Sequence, residues 1–534
     1  MNDLDLIDCP LCQTQIHYLS KDIRPVFPEE RLLLEVLLEK PLAFLNDSVW
    51  SEDNKYFVNG NQLTISNAIY QEKSANQIRV MLDQFQDTNN YIAFDKFIKK
   101  FIKANKIRLK ELIDEAHEFI KHNSSNFPHE NIVISFSGGK DSTVTADLTV
   151  RALTDPSLVH IFGNTTLEFP MTLEYMHRFR ENNPKAIFKI AENKEQSFYK
   201  VCDDIGPPAR MLRWCCSMFK TGPITRVLNR LYGNEKVLTF YGIRKCESVS
   251  RSRYNRVEDS SEAIKIQKQK VASPIFLWKD LDIWLYILTE GIDFNSAYRL
   301  GYDRVGCWCC PNNNDKAQFL SSIYMPVETE KWRDFLIKFA TRLGKPDPEE
   351  YVKSGGWKAR QGGNGLSASK DIQIQFTTCT SEENAVIYAL NKPVNDNFLE
   401  LFIPFGRIAP DLGRKLINET IVLDINSRVP ILSIQPFSKD ENGYTVKVKT
   451  LNVENPDELQ RMVGYQVKKY NACRQCLKCE SICRYRAISI NQGEYHIDPD
   501  RCRQCRMCVT AKYLAGGCLM DKYLKTKVNG TAKR

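Results

Sequence analysis

The stretch Ile132-Val-Ile-Ser-Phe-Ser-Gly-Gly-Lys-Asp-Ser-Thr143 is the most informative part of this 534-residue chain. It reads as a buried strand, a tight glycine turn and the first turn of a helix. Gly138 and Gly139 allow backbone angles that other residues avoid, so main-chain N–H groups can face an anion beside the positive end of the helix dipole. The stretch therefore predicts a phosphate-binding turn. The alternative is an ordinary glycine turn between a strand and a helix.

The glycine turn fits neither the Walker spacing nor the three-glycine dinucleotide fingerprint. Ser-Gly-Gly-Lys-Asp-Ser at 137–142 instead resembles the signature of the PP-loop ATP pyrophosphatases, which include phosphoadenosine phosphosulfate (PAPS) reductases and thiolating enzymes. The resemblance implies a site for ATP or a sulfonucleotide, with Lys140 and Asp141 as catalytic residues. Lys140 would neutralise phosphate charge, and Asp141 would orient the loop or a Mg²⁺ ion. The implied nucleotide-binding residues here are Ser135, Ser137, Gly138, Gly139, Lys140, Asp141, Ser142 and Thr143.

Strand and helix patterns alternate after the glycine turn. Strands are predicted at 158–162, 186–190 and 237–241, and helices at 141–153 and 170–182. This alternation predicts an α/β domain with a doubly wound parallel sheet, which binds ligands at the carboxyl ends of its strands. The resemblance makes the fold adenine nucleotide alpha hydrolase-like.

Two further motifs follow predicted strands. Asn164-Thr-Thr-Leu-Glu-Phe-Pro170 and Gly242-Ile-Arg-Lys-Cys-Glu-Ser248 resemble segments of the PAPS reductase family, although Asn164, Thr166 and Met171 depart from its pattern. Guanidinium groups suit a polyanionic nucleotide because each can pair two oxygens; a solvated basic loop is the alternative. The resemblance adds Asn164, Glu168, Gly242, Arg244 and Glu247 as nucleotide-binding residues, and Arg244 and Arg251 as catalytic ones.

Eighteen cysteines indicate metal or cluster ligation, because disulfides are rare in the cytoplasmic setting that we expect. Arg210-Met-Leu-Arg-Trp-Cys-Cys216 and Gly306-Cys-Trp-Cys-Cys310 resemble the motifs of cluster-bearing adenylylsulfate reductases. They imply a 4Fe-4S cluster near the nucleotide, with Cys309 as a competing ligand. Four thiolates also suit zinc, which remains the alternative. The implied ligands are Cys215, Cys216, Cys307 and Cys310.

The C-terminal cysteines follow the spacing of bacterial two-cluster ferredoxins. In that architecture the fourth cysteine of each run binds the other cluster, so two 4Fe-4S clusters are expected; structural zinc is the alternative. Arg484 and Leu519 replace the usual proline, and Cys518 arrives late. The expected ligand sets are Cys473, Cys476, Cys479 and Cys518, and Cys502, Cys505, Cys508 and Cys483.

The remaining regions give weaker signals. Cys9 and Cys12 form half of a zinc-ribbon signature, and His17 is a candidate third zinc ligand. The alternative is a knuckle that holds no metal. The glycine-rich loop 354–365 is either a substrate lid or an ordinary exposed loop. Cys379 is expected to be buried and apolar. The predicted units are an N-terminal module at 1–90, a helical linker at 91–128, a PP-loop domain at 129–312, a helical extension at 313–370, a small α+β domain at 371–460 and a ferredoxin-type domain at 461–534.

The net charge of +9 is concentrated near the C-terminus, where residues 461–534 hold 16 Lys and Arg against 5 Asp and Glu. This excess would offset thiolate-bound clusters or attract nucleic acid. We expect neither a signal peptide nor a membrane span, and hence a cytoplasmic protein without a membrane partner. The other expected partners are an adenine nucleotide, a low-potential electron donor and a second copy in a homo-oligomer.

These signals together predict reduction of a sulfonucleotide with electrons from the chain's own ferredoxin domain. The mobile Glu-Cys-Gly-x-His tail of assimilatory reductases does not occur in the sequence, which disfavours a thiol relay. The alternative is ATP-dependent sulfur insertion into DNA or tRNA, and a cluster-bearing scaffold without turnover is a third reading. Altering Lys140 or Asp141 would abolish the activity of either enzyme and leave a scaffold intact.

Overall fold

The computed structural model describes residues 22–52, 55–65, 74–85, 88, 91–233, 235–249, 251–259, 269–440, 443–511, 514 and 516–526. At its centre is a six-stranded sheet in which neighbours pair in parallel, except for one short antiparallel edge strand. In spatial order its strands are Ile187–Glu192, Val159–Asn164, Ile132–Phe136, Val237–Tyr241, Gln269–Ala272 and Val257–Glu258.

This sheet is apolar because helices cover both faces. Ile132, Ile134 and Phe136 are at most 1% exposed, as expected of a central parallel strand. The predicted α/β fold with a parallel sheet is confirmed, although the strand Gln269–Ala272 was not predicted. The accompanying helices are Lys140–Leu153, Pro170–Asn182, Phe198–Ile205, Gly222–Tyr232 and Asp280–Glu290, with a short helix Trp214–Cys216 that continues as a wider π-turn Ser217–Thr221.

The predicted helical linker is one long helix, Tyr91–Ser124. Its apolar face buries Ile98, Leu109 and Ile120 and packs on the helices Lys140–Leu153 and Asp280–Glu290. It is therefore part of the central domain's core rather than a spacer.

The described part of the N-terminal module is a small antiparallel sheet with two helices. Its strands are Arg24–Pro25, Val49–Glu52, Lys55–Val58 and Asn61–Leu63, and its helices are Pro28–Leu37 and Ala75–Phe85. Glu30 is 1% exposed and receives a bidentate hydrogen bond from Arg24, which also bonds Asp303. The module is thereby fixed to the central domain. Cys9, Cys12 and His17 lie outside the described residues.

The extension after the central domain consists of three helices, Asp315–Tyr324, Pro326–Arg342 and Pro348–Lys353. The glycine-rich loop that follows is packed at its centre, because Trp357 and Lys358 are buried and Arg360 donates to the carbonyls of Ile205 and Pro207. A Cβ at Gly363 would lie 2.3 Å from the Leu524 carbonyl oxygen. Ser354, Ala359 and Gln361 of the same loop are exposed, and its role as a substrate lid or as an ordinary loop stays a prediction.

The following domain is a six-stranded antiparallel sheet. Its strands are, in spatial order, Phe376–Thr378, Ala385–Leu390, Gly443–Thr450, Pro430–Asp440, Thr420–Leu423 and Arg407–Ala409. Ile372, at the start of this domain, ends a helical turn that buries its side chain in another core. The expectation for Cys379 is wrong: it is half-exposed, with its Sγ 3.2 Å from Ser381 Oγ.

The C-terminal cysteine module, residues 456–526, packs on both preceding domains. Its elements are the helices Pro456–Ala472, Lys478–Ile482, Met507–Thr510 and Leu519–Leu524, the hairpin strands Ile488–Asn491 and Glu494–Ile497, and the loops that carry the cysteines. Glu480 accepts two 2.8 Å hydrogen bonds from Arg226 of the central domain. No helix among the described residues combines the length and the apolar character needed to cross a membrane.

Candidate active site

The glycine turn follows the central strand and is tightly constrained. Gly138 has φ +71°, in the left-handed region, and a Cβ there would lie 2.8 Å from Thr172 Cγ2. Ser142 Oγ accepts from the Ser137 N–H and donates to the Gly139 carbonyl, while Thr143 Oγ1 lies 2.9 Å from Tyr175 Oη. The hydroxyls of Ser142 and Thr143 are thus used to hold the turn in shape at the amino end of the helix.

Lys140 places a buried ammonium beside the turn. The residue is 4% exposed, and its Nζ lies 3.1 Å from Asp280 Oδ1 and 3.4 Å from the Asp303 carbonyl oxygen. Burial by itself lowers the pKa of Lys140, but the charges of Asp141 and Asp280 outweigh it, so the pKa is raised. The side chain therefore stays charged at neutral pH.

Arg244 completes this charge network from the neighbouring strand. It is also 4% exposed, donates to Asp141 through Nε and reaches Asp280 Oδ1 at 2.8 Å through Nη2. Lys140 and Arg244 together keep the pKa of Asp141 below its usual value despite the opposing effect of burial. A Cβ at Gly242 would lie 2.6 Å from the Asp141 carbonyl carbon, so only glycine lets the two loops approach this closely.

Asp280 is the residue of this network that the sequence analysis missed. It begins the helix Asp280–Glu290, 140 positions after Lys140, and no motif connects the two. The only signal was the acidic start of that helix, which is common for capping alone. Asp22 connects this network to the N-terminal module, because its carboxylate accepts hydrogen bonds from the backbone N–H groups of Asp280 and Leu281.

The other predicted nucleotide residues lie around this network. Ser135 hydrogen-bonds Tyr241 beneath the turn. Glu247 accepts from the Arg244 N–H and from the Arg251 guanidinium. Burial, followed by the neighbouring charge of Arg304, lowers the pKa of Arg251. An anion bound between these two arginines would offset their repulsion.

The loop after the second strand connects the glycine turn to a group of cysteines. Asn164 donates to Glu192, and Glu168 accepts from the backbone and hydroxyl of Thr165. Glu168 also forms an antiparallel bridge with Cys307, whose Sγ lies 3.6 Å from Thr165 Oγ1. Asn164 and Glu168 thus shape the loop that holds Cys307.

The cysteines around Cys307 converge beneath basic side chains. A hydrogen bond from Cys215, supported by Arg213 and Lys220, lowers the pKa of Cys216 to about 5. Burial raises the pKa of Cys307 to about 12. Cys309 is 3% exposed and belongs to an apolar core that includes Cys202. The charges of Cys215, Cys216 and Cys310 all act on Arg213, so these thiols share one neighbourhood.

The C-terminal cysteines fall into two groups. The thiols of Cys473, Cys476, Cys479 and Cys518 influence one another, and those of Cys483, Cys502, Cys505 and Cys508 line a single cavity. Within the residues that the structure describes, no three Cys, His, Asp or Glu side chains are arranged to hold a single metal ion. The Lys469 ammonium is buried beside both groups and donates to the Cys508 carbonyl at 2.8 Å.

The two cysteine runs repeat one unusual backbone. Gln475 and Leu477 in the first run, and Gln504 and Arg506 in the second, all have φ between +54° and +59°. Left-handed residues of this kind turn consecutive N–H groups toward an anion. Accordingly, Cys473 receives a hydrogen bond from the Gln475 N–H and Cys502 from the Gln504 N–H.

Comparisons with known proteins cover the central domain and its flanks. Residues 131–313 match the phosphoadenosine phosphosulfate reductase domain. An uncharacterized protein of Methanocaldococcus jannaschii is 31% identical over 293 residues, 53% of this chain and 57% of the relative. The match thus spans little more than half of that relative's length. Adenosine 5'-phosphosulfate reductase of Staphylococcus epidermidis is 23% identical over 43% of this chain and 86% of the enzyme.

Among solved structures, the chain is similar to phosphoadenylyl-sulfate (PAPS) reductase from Candida auris. The identity is 18% and the TM-score 0.30, over 38% of this chain and 95% of that one.

Proposed function

Since residues 131–313 match the phosphoadenosine phosphosulfate reductase domain, we propose that this protein reduces a sulfonucleotide with electrons supplied through its C-terminal cysteine module. One observation carries the proposal. Lys140 of the glycine turn contacts the Asp303 carbonyl, and Cys307, four residues later, contacts the loop beside the turn. The phosphate-binding turn and the cysteines therefore occupy the same edge of the sheet.

In this proposal the charge network binds the nucleotide. The N–H groups of the glycine turn and the helix dipole hold the phosphates, and Lys140 neutralises charge on them. Arg244 is occupied by two carboxylates, so its role is to keep Asp141 and Asp280 in position. Arg251 and Arg304 face the remaining negative charge of the sulfonucleotide.

The reaction needs two electrons and no other reactant. They enter the sulfate group, the bond between its sulfur and the bridging oxygen breaks, and the oxygen stays with the phosphate. The products are sulfite and the nucleotide without its sulfate group, which is AMP from adenylylsulfate and adenosine 3',5'-bisphosphate from PAPS. Basic side chains are well suited to this step, because negative charge increases on both products. Lys220 and Arg213 lie next to Cys216, where their positive charges would offset the negative charge that develops on sulfite.

The cysteines present fit 4Fe-4S clusters. Thiols in groups of four, the repeated left-handed backbone and the N–H groups that donate to sulfur are features of such sites. When bound, a cluster supplies one electron at a time. The proposed ligand sets are those expected above, with Cys215, Cys216, Cys307 and Cys310 nearest the nucleotide. Zinc at that last site remains the alternative.

Contacts between the domains support an internal electron supply. A Cβ at Gly222, next to the Cys215 helix, would lie 2.8 Å from Leu477 Cβ, between two cysteines of the first run. The Tyr523 hydroxyl bonds Ser217, and the charges of Cys476, Cys215 and Cys216 all act on it. The first cysteine group is therefore packed directly against the nucleotide-side cysteines.

The test uses protein purified and reconstituted without oxygen, with adenylylsulfate, PAPS or ATP and a low-potential reductant. We expect sulfite from a sulfonucleotide and no pyrophosphate from ATP. Lys140→Ala should abolish sulfite release, and the exposed-loop variant Lys245→Ala should retain it. Release of pyrophosphate from ATP that depends on added DNA or tRNA, without sulfite, would refute the proposal. It would favour the alternative function, sulfur insertion into nucleic acid.

A further inference from the structure

The two cysteine groups of the C-terminal module face different surroundings. In the inner group, Cys476, Cys479 and Cys518 are all less than 10% exposed. This group packs against the central domain through Leu477 and Tyr523. A partner protein in solution therefore has no direct approach to it from that side.

The outer group, in contrast, reaches the surface. Cys505 is exposed, and Cys483 and Cys502 are half-buried. Their cavity is also lined by Arg503, Arg506 and Tyr485, the last of which is 42% exposed. An electron carrier can therefore approach the outer group.

The surface around Cys505 is basic. We define the arginine face as Arg484, Arg501, Arg503 and Arg506, of which the first three are exposed. The acidic residues nearby are Asp498, which pairs with Arg501 at 3.2 Å, Asp500, and Asp424 of the neighbouring sheet domain, which lies near Arg506. Arg484 and Arg503 have no ion-pair partner among the contacts of the described residues, so the face keeps a positive excess.

Building on the proposed function, we propose that electrons enter at the outer cysteine group from an acidic electron-carrier protein that docks on the arginine face. Charge complementarity of this kind accelerates encounter by 10-fold to 1,000-fold at low salt. Each docking oxidises one carrier molecule by one electron, and two dockings supply the two electrons of sulfonucleotide reduction. Clusters held by the inner group and by Cys215, Cys216, Cys307 and Cys310 would relay the electrons toward the nucleotide.

The test follows reduction of the reconstituted full-length protein by reduced flavodoxin, an acidic carrier, in a stopped-flow spectrometer. The variant Arg484→Glu/Arg503→Glu should be reduced at least about 10-fold more slowly than the unaltered protein at low salt. Added salt should slow the unaltered protein and leave the variant little changed. Binding of oxidised flavodoxin, measured by calorimetry, should weaken in parallel.

Two controls separate docking from damage. The variant Lys99→Glu/Lys103→Glu carries the same charge change on the exposed side of the helix Tyr91–Ser124 and should behave like the unaltered protein. Reduction by the methyl viologen radical, a small cation, should not slow in either variant. Arg484→Gln/Arg503→Gln provides a milder change if the first variant loses iron.

Equal rates with flavodoxin in all variants would overturn the inference, as would an equal loss in the lysine variant. Tight binding of duplex DNA to the same arginines, without any effect on reduction, would also overturn it. These failures leave sulfite release intact. Failure of the proposed function, by contrast, would appear as no sulfite with any reductant.

Discussion

The nucleotide site and the C-terminal module bury charge in opposite ways. At the nucleotide site two buried cations share two carboxylates, because Lys140 and Arg244 both contact Asp141 and Asp280. In the module the Lys469 ammonium lies among thiols of both cysteine groups. In the first region the protein's own carboxylates balance the buried positive charge. In the second region the positive charge is balanced when the surrounding thiols are ionised. Substitutions should therefore destabilise the first region and change the electronic properties of the second.

The largest effect should follow from Arg244→Ala. The carboxylates of Asp141 and Asp280 would lose a buried partner, so the free energy of unfolding should fall by about 3 kcal/mol. Urea denaturation measures this, with the exposed Arg253→Ala as the matched control. A loss below about 1 kcal/mol would mean that water compensates the carboxylates and that the site is not balanced from within.

A smaller loss should follow from Gly222→Ala, which tests the junction of the two regions. The new methyl group would lie 2.8 Å from Leu477 Cβ and 2.9 Å from the Ser217 carbonyl oxygen, an overpacking that costs about 2 kcal/mol. We expect faster proteolysis of the C-terminal module and slower reduction of the nucleotide-side cysteines' cluster. At Gly306 a Cβ would meet open space, so Gly306→Ala should leave proteolysis unchanged.

Lys469→Met tests the module itself. Removal of a buried positive charge makes an added electron less favourable, so the reduction potential of the clusters that we propose for this module should fall by about 60 mV, a factor of ten. Redox titration followed by electron paramagnetic resonance measures it. Lys468→Met on the same helix removes a charge that pairs with Asp521 and should shift the potential far less. Equal shifts of the potential in the Lys469→Met and Lys468→Met variants would contradict a special role for the buried Lys469 charge.

The smallest effect concerns acid sensitivity of the central sheet. Burial lowers the pKa of His160 to about 4. Between about pH 6.5 and 4 the His160 imidazole therefore binds a proton in the unfolded chain but not in the folded chain. The free energy of unfolding falls as the pH falls through that range. We expect His160→Phe to remove about 1 kcal/mol of the difference in unfolding free energy between pH 7 and 5.5. An unchanged pH dependence would contradict this.

Local sequence patterns predicted the parts of the molecule that short segments determine. The glycine turn and the helix 170–182 depend on neighbouring residues, and they lie where the pattern placed them. The cysteine ligand sets stay a prediction from the ferredoxin spacing, in which the resemblance assigns Cys483 and Cys518. The strand Gln269–Ala272 was not predicted, since Gln269 and Lys270 interrupt its apolar character and pairing with Val237–Tyr241 decides it.

The missed features all depend on contacts between distant segments. Asp280 reaches Lys140 only after the whole sheet has formed, and Asp22 reaches Asp280 from the opposite end of the chain. Trp357 and Arg360 looked like parts of a free loop, because their partners near residue 206 and residue 524 are not adjacent in sequence. Propensity and spacing contain no information on such pairs.

The position of Cys518 imposes an order on biosynthesis. The outer group is complete once Cys508 has been synthesised, whereas the inner group waits another ten residues for Cys518. The helix Leu519–Leu524 then packs beneath Gly363 and closes the region. A chain that stops after residue 508 would keep every outer thiol and leave three inner thiols open beside Cys215 and Cys216. The inner group therefore completes its set of four thiols only when Cys518 and the helix that follows it are in place.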